Sequence, residues 1–266
     1  MTFTIAVAGK GGVGKTSISA LIIRYFIKSK KNIVLAVDAD SNSNLDVKIG
    51  LKTQKTIGTL REDISKEFNS MPEGISKNEY VQCLVRTILT EGKNVDLLVM
   101  GRPEGPGCYC YVNSLLRTFI DAIAEKYPIV VIDNEAGMEH LSRRTTHKVD
   151  ILFVISNEMP AGIRTARKLA QLADEMKLTI KKKILLINHI YESIGNEEKE
   201  INNKIQRNVL YEHELEKSKG YFNAYYTIPE DRILHIYNWE GKSLLELPDD
   251  SLAVISLNKM MGVIMQ

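Results

Sequence analysis

Short apolar runs alternate with longer stretches of helical period along this chain. The runs are Ile5–Ala8, Ile33–Asp38, Val95–Met100, Ile129–Asp133, Ile151–Ile155, Ile184–Asn188 and Ala224–Ile228. Most are continuous and rich in Ile, Val and Leu, as strands buried on both faces are. Helical spacing separates most of them. After the first run, Ile18, Leu21, Ile22, Tyr25 and Phe26 fall on one face. The pattern predicts an α/β fold, a mainly parallel and doubly wound sheet with helices on both sides. Ligands in such a sheet sit at the carboxyl ends of the strands. No repeat, low-complexity tract or linker divides the sequence, so one domain over residues 1–266 is expected. Ile194–Gly220 is the most polar stretch and reads as a solvated helix or surface excursion without chemistry.

Composition removes several classes. Hydrophobic residues make up 44% of 266, enough for one sizeable core. Lys and Arg number 35 against 33 Asp and Glu, a net charge of +2. That balance argues against nucleic acid as a partner. No apolar run approaches the roughly 20 residues of a membrane span, so no membrane partner is expected. The first strand begins without a basic leader, and a secretory signal is not expected. Three cysteines do not make a disulfide framework, and the expected compartment is a reducing cytoplasm.

The chemistry starts after the first strand. Gly9-Lys10-Gly11-Gly12-Val13-Gly14-Lys15-Thr16 meets G-x-x-x-x-G-K-[ST] between a strand and a helix, the context of a phosphate loop. Its glycines let backbone N–H groups close around phosphate oxygens, and the helix N-terminus adds positive potential. Lys15 would reach the β- and γ-phosphates, the Thr16 hydroxyl would hold Mg²⁺, and Ser17 completes the nucleotide-binding run. Gly9, Gly11 and Gly14 also satisfy the dinucleotide pattern G-x-G-x-x-G, but Lys-Thr directly after the last glycine favours a nucleoside triphosphate. Lys10 is not required by the general motif. With it, the loop resembles the deviant phosphate loop of the dimeric ATPases related to MinD, ParA, ArsA and the nitrogenase iron protein. The resemblance implies a homodimer in which Lys10 crosses to the partner's nucleotide.

Two further strands end in acids. Asp38-Ala39-Asp40-Ser41-Asn42-Ser43-Asn44-Leu45 resembles the first switch of that superfamily, which implies that Asp40 orients the attacking water. For Asp40 a plain turn or helix-cap aspartate is the alternative, and Asp38 is a second candidate beside Mg²⁺. Ile129-Val130-Val131-Ile132-Asp133 has the form of the acidic strand of a phosphate-loop NTPase, with Asp133 holding Mg²⁺ through water. Gly137 would permit a mobile second switch. The Asn-Lys-x-Asp of a guanine site is missing after Asn188, so adenine is favoured. Asn188 resembles the superfamily's base-contacting asparagine, and Pro229, Glu230 and Asp231 resemble its adenine-side loop. Either could instead be an ordinary strand-end cap.

Cys108-Tyr109-Cys110 lies in a Gly- and Pro-rich loop after the run Val95–Met100. Two thiols on one chain cannot surround a metal, but two copies across a dimer axis could supply four thiolates to Zn²⁺ or Ni²⁺. The alternative is a pair of small buried hydrophobes. Together with Asp133-Asn-Glu-Ala-Gly-Met-Glu-His140 and the loop around Lys10, the pair resembles the CooC/AcsF family of nickel-insertion ATPases, over about Thr4 to Ile233. That resemblance implies Ni²⁺ or Zn²⁺ on Cys108 and Cys110 at the dimer interface. It implies ATP-driven delivery to carbon monoxide dehydrogenase or acetyl-CoA synthase. Glu139 and His140 would be accessory ligands or an ordinary charged face. Cys83, beside Leu84 and Val85, reads as a core residue.

Two rival functions stay in view. An iron–sulfur reductase like the nitrogenase iron protein would need a cysteine after Asp133, and none follows. A MinD- or ParA-type positioning ATPase would need a basic amphipathic tail or a basic stripe, and Ser251–Gln266 carries Lys259 as its single cation.

Overall fold

Alternate residues of the apolar runs go to opposite faces of an eight-stranded sheet. The computed structural model describes residues 2–67, 76–101, 118, 120–135, 148–188 and 210–266. Its strands are β1 (Phe3–Gly9), β2 (Val34–Ala39), β3 (Thr90–Glu91), β4 (Val95–Val99), β5 (Ile129–Asn134), β6 (Lys148–Ser156), β7 (Thr179–Asn188) and β8 (Ala224–Ile228). They lie in the order β3-β4-β2-β5-β1-β6-β7-β8. Every neighbouring pair is parallel except β3 with β4. The α-helices between and after them include α1 (Lys15–Ser29), α2 (Leu45–Ile49), α3 (Ile57–Glu67), α4 (Lys77–Thr87), α5 (Pro160–Glu175), α6 (Arg232–Trp239) and α7 (Leu252–Ile264). The mainly parallel, doubly wound sheet is the one the sequence leads us to expect.

In β1, Ile5 and Val7 join one core with α1, α2, α6 and α7, while Ala6 and Ala8 join the other with α3, α4 and α5. A strand buried on both faces needs apolar side chains at every position, which is why these runs do not alternate. α1 presses Ile18, Leu21, Ile22 and Phe26 onto the sheet, and each is 1% exposed or less. Truncating Phe26 to alanine would cost about 3–5 kcal/mol. Helix starts are local: Ser76 and Glu79 form a capping box at α4, and Pro160 opens α5. The chain leaves β1 outward through β2 on one side and returns through β6, β7 and β8 on the other, so β1 marks the order reversal where a ligand crevice is expected.

Three expectations need correction. Ile33 is 53% exposed and β2 starts at Val34. β7 begins at Thr179 rather than Ile184, because three successive lysines hide its period. Lys181 pairs with Asp150, Lys182 donates to the Ile264 carbonyl, and Lys183 pairs with Asp174. Cys83 is exposed, because α4 turns Val85 inward and Cys83 stands off that face. Of the two readings of the polar stretch 194–220, helix or surface excursion, the described part is a helix: residues 210–218 are helical, and Tyr211 and Leu215 pack on the α5 side of the sheet. There Glu214 accepts from Arg164 and Arg167, each at 3.2 Å. Burial pushes its carboxyl up, and the two guanidiniums outweigh that and hold it below the ordinary carboxylate value.

Candidate functional site

The phosphate loop joins the end of β1 to the start of α1, and its glycines are fixed by what surrounds them. Gly9 has φ 156°, and a Cβ there would stand 2.5 Å from the Ile155 carbonyl oxygen on β6. Gly14 has φ 92°, and a Cβ there would stand 2.5 Å from Asn188 Nδ2 at the end of β7. Asn188 Nδ2 donates to the Val13 carbonyl at 3.0 Å. Part of this side chain therefore fastens the loop itself. The first turn of α1 has no acidic residue and no side-chain cap, so its free N–H groups point at whatever fills the loop. That is the electrostatic form of an anion site. The two lysines differ. Lys15 is 7% exposed and donates to the Lys10 carbonyl at 3.4 Å, whereas the Lys10 side chain is exposed with Gly11 and Gly12.

Beside the loop, β2 and β5 bring Asp38 and Asp133 into register as neighbours. Asp38 accepts from the Asp40 N–H and the Leu45 N–H, both at 3.0 Å, and so closes the loop that carries Asp40. Asp133 accepts from Ser19 Oγ at 3.0 Å and also from the Thr16 hydroxyl. Burial pushes the Asp38 carboxyl up to about 6, with Asp40 and Asp46 adding to it against two backbone hydrogen bonds. Burial likewise pushes Asp133 up to about 7, with Asp38 adding to it, and Thr16, Ser19 and Lys15 only partly opposing. Two buried carboxylates with uncompensated charge are a donor set for a hard divalent cation, and Thr16 supplies a further oxygen. These residues fit Mg²⁺. Asn134 donates through Nδ2 to the Val7 carbonyl at 2.9 Å, and its Oδ1 is buried without a partner. Asp40 is half-buried and accepts from the Asn42 N–H at 2.8 Å. Ser41 Oγ donates to Glu135 at 3.1 Å, tying the loop after β2 to the residues after β5. Sequence reasoning missed Ser19. The signal was an alcohol three residues after Thr16, inside the apolar stripe of α1.

The side after β8 is different. Pro229 and Glu230 are half-buried at the end of the strand. Asp231, expected to face the nucleotide, is instead committed to the fold. It is 3% exposed, caps α6 through the Ile233 and Leu234 N–H groups, and accepts from Ser251 Oγ and the Ala253 N–H at the start of α7. Burial alone would raise its carboxyl, but those four donors hold it below the ordinary value. Ser17 lies 3.5 Å from Asn238 Oδ1 and donates to it. Cys108, Cys110, Gly137, Glu139 and His140 lie outside the described residues. Among the described residues no group of three or more His, Cys, Asp or Glu side chains is gathered as a metal centre. Among them no helix is long and apolar enough to cross a membrane.

Residues 4–226 match the family model described as the CobQ/CobB/MinD/ParA nucleotide binding domain. The chain belongs to this nucleotide-binding family. The uncharacterised ATP-binding protein MJ0685 of Methanocaldococcus jannaschii is 45% identical over 217 residues, 79% of this chain and 85% of its own. The carbon monoxide dehydrogenase accessory protein CooC of Rhodospirillum rubrum is 31% identical over 183 residues, 65% of this chain and 69% of its own. Among solved structures, the septum site-determining protein MinD of Pyrococcus horikoshii, complexed with Mg-ADP, superposes with a TM-score of 0.65 at 19% identity. It covers 99% of this chain and 96% of its own. That likeness is one of fold. The matched residues include the loop from Gly9 to Thr16 with its open helix N-terminus.

Proposed function

We propose that the chain is a Mg²⁺-dependent ATPase, acting as one domain over 1–266 and as a homodimer. We propose further that it carries Ni²⁺ or Zn²⁺ to carbon monoxide dehydrogenase or acetyl-CoA synthase. The observation that carries the ATPase is the Asp133 cluster, a buried carboxylate set against Thr16 and Ser19 beside a phosphate loop with open N–H groups. In the reaction ATP and water give ADP and phosphate. Gly9 to Ser17 cradle the phosphates, and Lys15 leaves the Lys10 carbonyl for the β- and γ-phosphates. Thr16 and Asp133, with Asp38 behind them, would hold Mg²⁺, which supplies charge neutralisation between those phosphates. Asp40 orients the attacking water. Asn188 and the Pro229–Glu230 turn receive adenine. Lys10, exposed and unlike Lys15 not folded into its own loop, reaches the partner's nucleotide.

The metal half of the reading is supported by the likeness to CooC and by Cys108-Tyr109-Cys110. Two copies at a two-fold axis would give one ion four thiolates. The test is metal analysis of anaerobically purified dimer. One Ni²⁺ or Zn²⁺ per two chains is expected, lost in either Cys108→Ser or Cys110→Ser. One ion per chain, or tight binding after Cys108→Ser, overturns the shared site. Phosphate release from ATP with and without Mg²⁺ tests the ATPase. Sizing of Lys10→Ala with a non-hydrolysable ATP analogue tests the crossing lysine, and a variant that dimerises like the parent overturns it.

A further inference from the structure

Three helices meet at one oxygen atom behind the phosphate loop. Asn238 Oδ1 accepts from Lys48 Nζ at 2.5 Å and lies 3.5 Å from the Ser17 hydroxyl. Each of these residues sits on the helix that continues one arm of the nucleotide site. Ser17 is in the first turn of α1, directly after Thr16. Lys48 is on α2, which begins where the Asp40 loop ends. Asn238 is near the end of α6, which begins directly after Pro229, Glu230 and Asp231. α2 has five residues, too few to hold its place by its own hydrogen bonds. Its position is set by Leu45 and Ile49 in the core and by this bridge.

Stability does not account for Lys48. The side chain is half-buried, and burial lowers the pKa of its ammonium group. Among the described residues no carboxylate forms an ion pair with it, and its acceptor is a neutral amide. A cation withdrawn from water against a neutral partner is worse than an apolar side chain of equal length. A methionine would pack the same stem without that penalty.

We propose that the Lys48–Asn238 bridge is the contact by which the base-side turn after β8 sets the position of the Asp40 loop. It makes Lys48 a positioning residue that converts a correctly seated base into turnover. The inference rests on the ATPase reading, with Asp40 on the attacking water. A base held at Pro229–Glu230 fixes the start of α6, whose first turn is already clamped by Asp231. Asn238 then holds Lys48, and α2 cannot slide. At the other end of the same segment, Asp38 holds the Asp40 and Leu45 N–H groups. Base identity is thereby read in the rate of hydrolysis rather than in affinity.

The test uses Lys48→Met in the full chain, which keeps the stem and removes the donors. Steady-state rates are measured with ATP and with GTP, together with the melting temperature. With ATP, kcat is expected to fall about tenfold, a displacement of the water-positioning loop, with KM within about twofold. The GTP rate changes little, so the ATP-to-GTP ratio of kcat collapses toward one. Asn238→Leu gives the same loss, and the double variant adds nothing further. Melting stays within a few degrees of the parent or rises. An unchanged ATP-to-GTP ratio overturns the proposal. So does an equal fall for both nucleotides with a lower melting temperature, which would make the bridge structural only. A parent that turns over neither nucleotide overturns the ATPase reading as well, so the two failures are told apart.

Discussion

Asp133 and Asp231 are both buried aspartates at the carboxyl edge of the sheet, 1% and 3% exposed, and their surroundings treat the charge in opposite ways. Asp231 receives four donors and its carboxyl is held below the ordinary value. Asp133 receives two hydroxyls, faces Asp38 across the register, and is pushed up to about 7. A satisfied carboxylate is finished as a structural part. A buried carboxylate whose charge is left incomplete is stable in that form only when something else completes it. The contrast separates the part of the carboxyl edge that builds the protein from the part that receives a ligand, and it does so without reference to any motif.

The largest effect expected is on turnover at the incomplete site. Asp133→Ala should lower kcat about a hundredfold, some 2.7 kcal/mol of barrier, by removing the Mg²⁺-side oxygen donors. It should not lower the melting temperature of the ligand-free protein, because the charge removed was uncompensated. Phosphate-release kinetics and calorimetry on one preparation check both halves. A variant that melts well below its parent would erase the distinction from Asp231.

Asp231→Ala should do the reverse. It removes one N-cap at about 1 kcal/mol, the tie to α7 of similar size, and the partner of the buried Ser251 hydroxyl, for roughly 3 kcal/mol in all. For a chain of this size that is a fall of about 6–12 °C in Tm. Turnover per folded molecule should fall far less than in Asp133→Ala. A variant that melts like its parent and loses ATP affinity would return Asp231 to the nucleotide.

The pH dependence sharpens the comparison further. Asp38 at about 6 and Asp133 at about 7 bind protons more tightly folded than unfolded, against an ordinary 3.8. Their contribution to stability is therefore fully present below about pH 4 and is lost as pH rises through 6 and 7. The loss proceeds at about 1.4 kcal/mol per pH unit for each proton released. Melting of the nucleotide-free protein should fall over about pH 4–7 and level off above that, and Asp133→Asn should flatten part of that slope. Mg-ADP should act in the opposite sense, since a cation binds the deprotonated pair: its stabilising increment should grow from pH 6 to 8. An increment independent of pH would remove Asp38 and Asp133 from the cation site.

Much of this site was legible in the sequence because its rules are local. Gly9 to Thr16 carries its own spacing, and the runs ending in Asp38 and Asp133 announce buried strands with acids at their carboxyl ends. Asp231 was half legible: an aspartate before a helical stretch reads as a cap. Its other two donors, Ser251 and the Ala253 N–H, lie about twenty residues on and are set by packing alone. The Lys48–Asn238 bridge spans 190 positions and follows no spacing rule. Ser19 needed only the helical period to be read for polar exceptions as well as apolar matches. β7 was clipped because Lys181, Lys182 and Lys183 each find a partner on a different element, which no window of neighbouring residues can display.

The smallest effect expected is at Cys83, and it completes the comparison by separating burial from adjacency. Cys83 reads as core because Leu84 and Val85 follow it. On a helix, neighbours in sequence point about 100° apart, and residues three and four apart share a face. Val85 is buried, with Leu84 half-buried against the same cluster, and that turns the Cys83 thiol outward on α4. Cys83→Ser should therefore change stability by less than about 0.5 kcal/mol, the range of ordinary surface substitutions. A thiol reagent should modify Cys83 in the native protein at close to the rate of a small-molecule thiol. Metal content should match the parent, which makes Cys83→Ser the control for the Cys108 and Cys110 variants. A thiol that reacts only after denaturation would put Cys83 back in the core and turn α4 by about a quarter of its circumference.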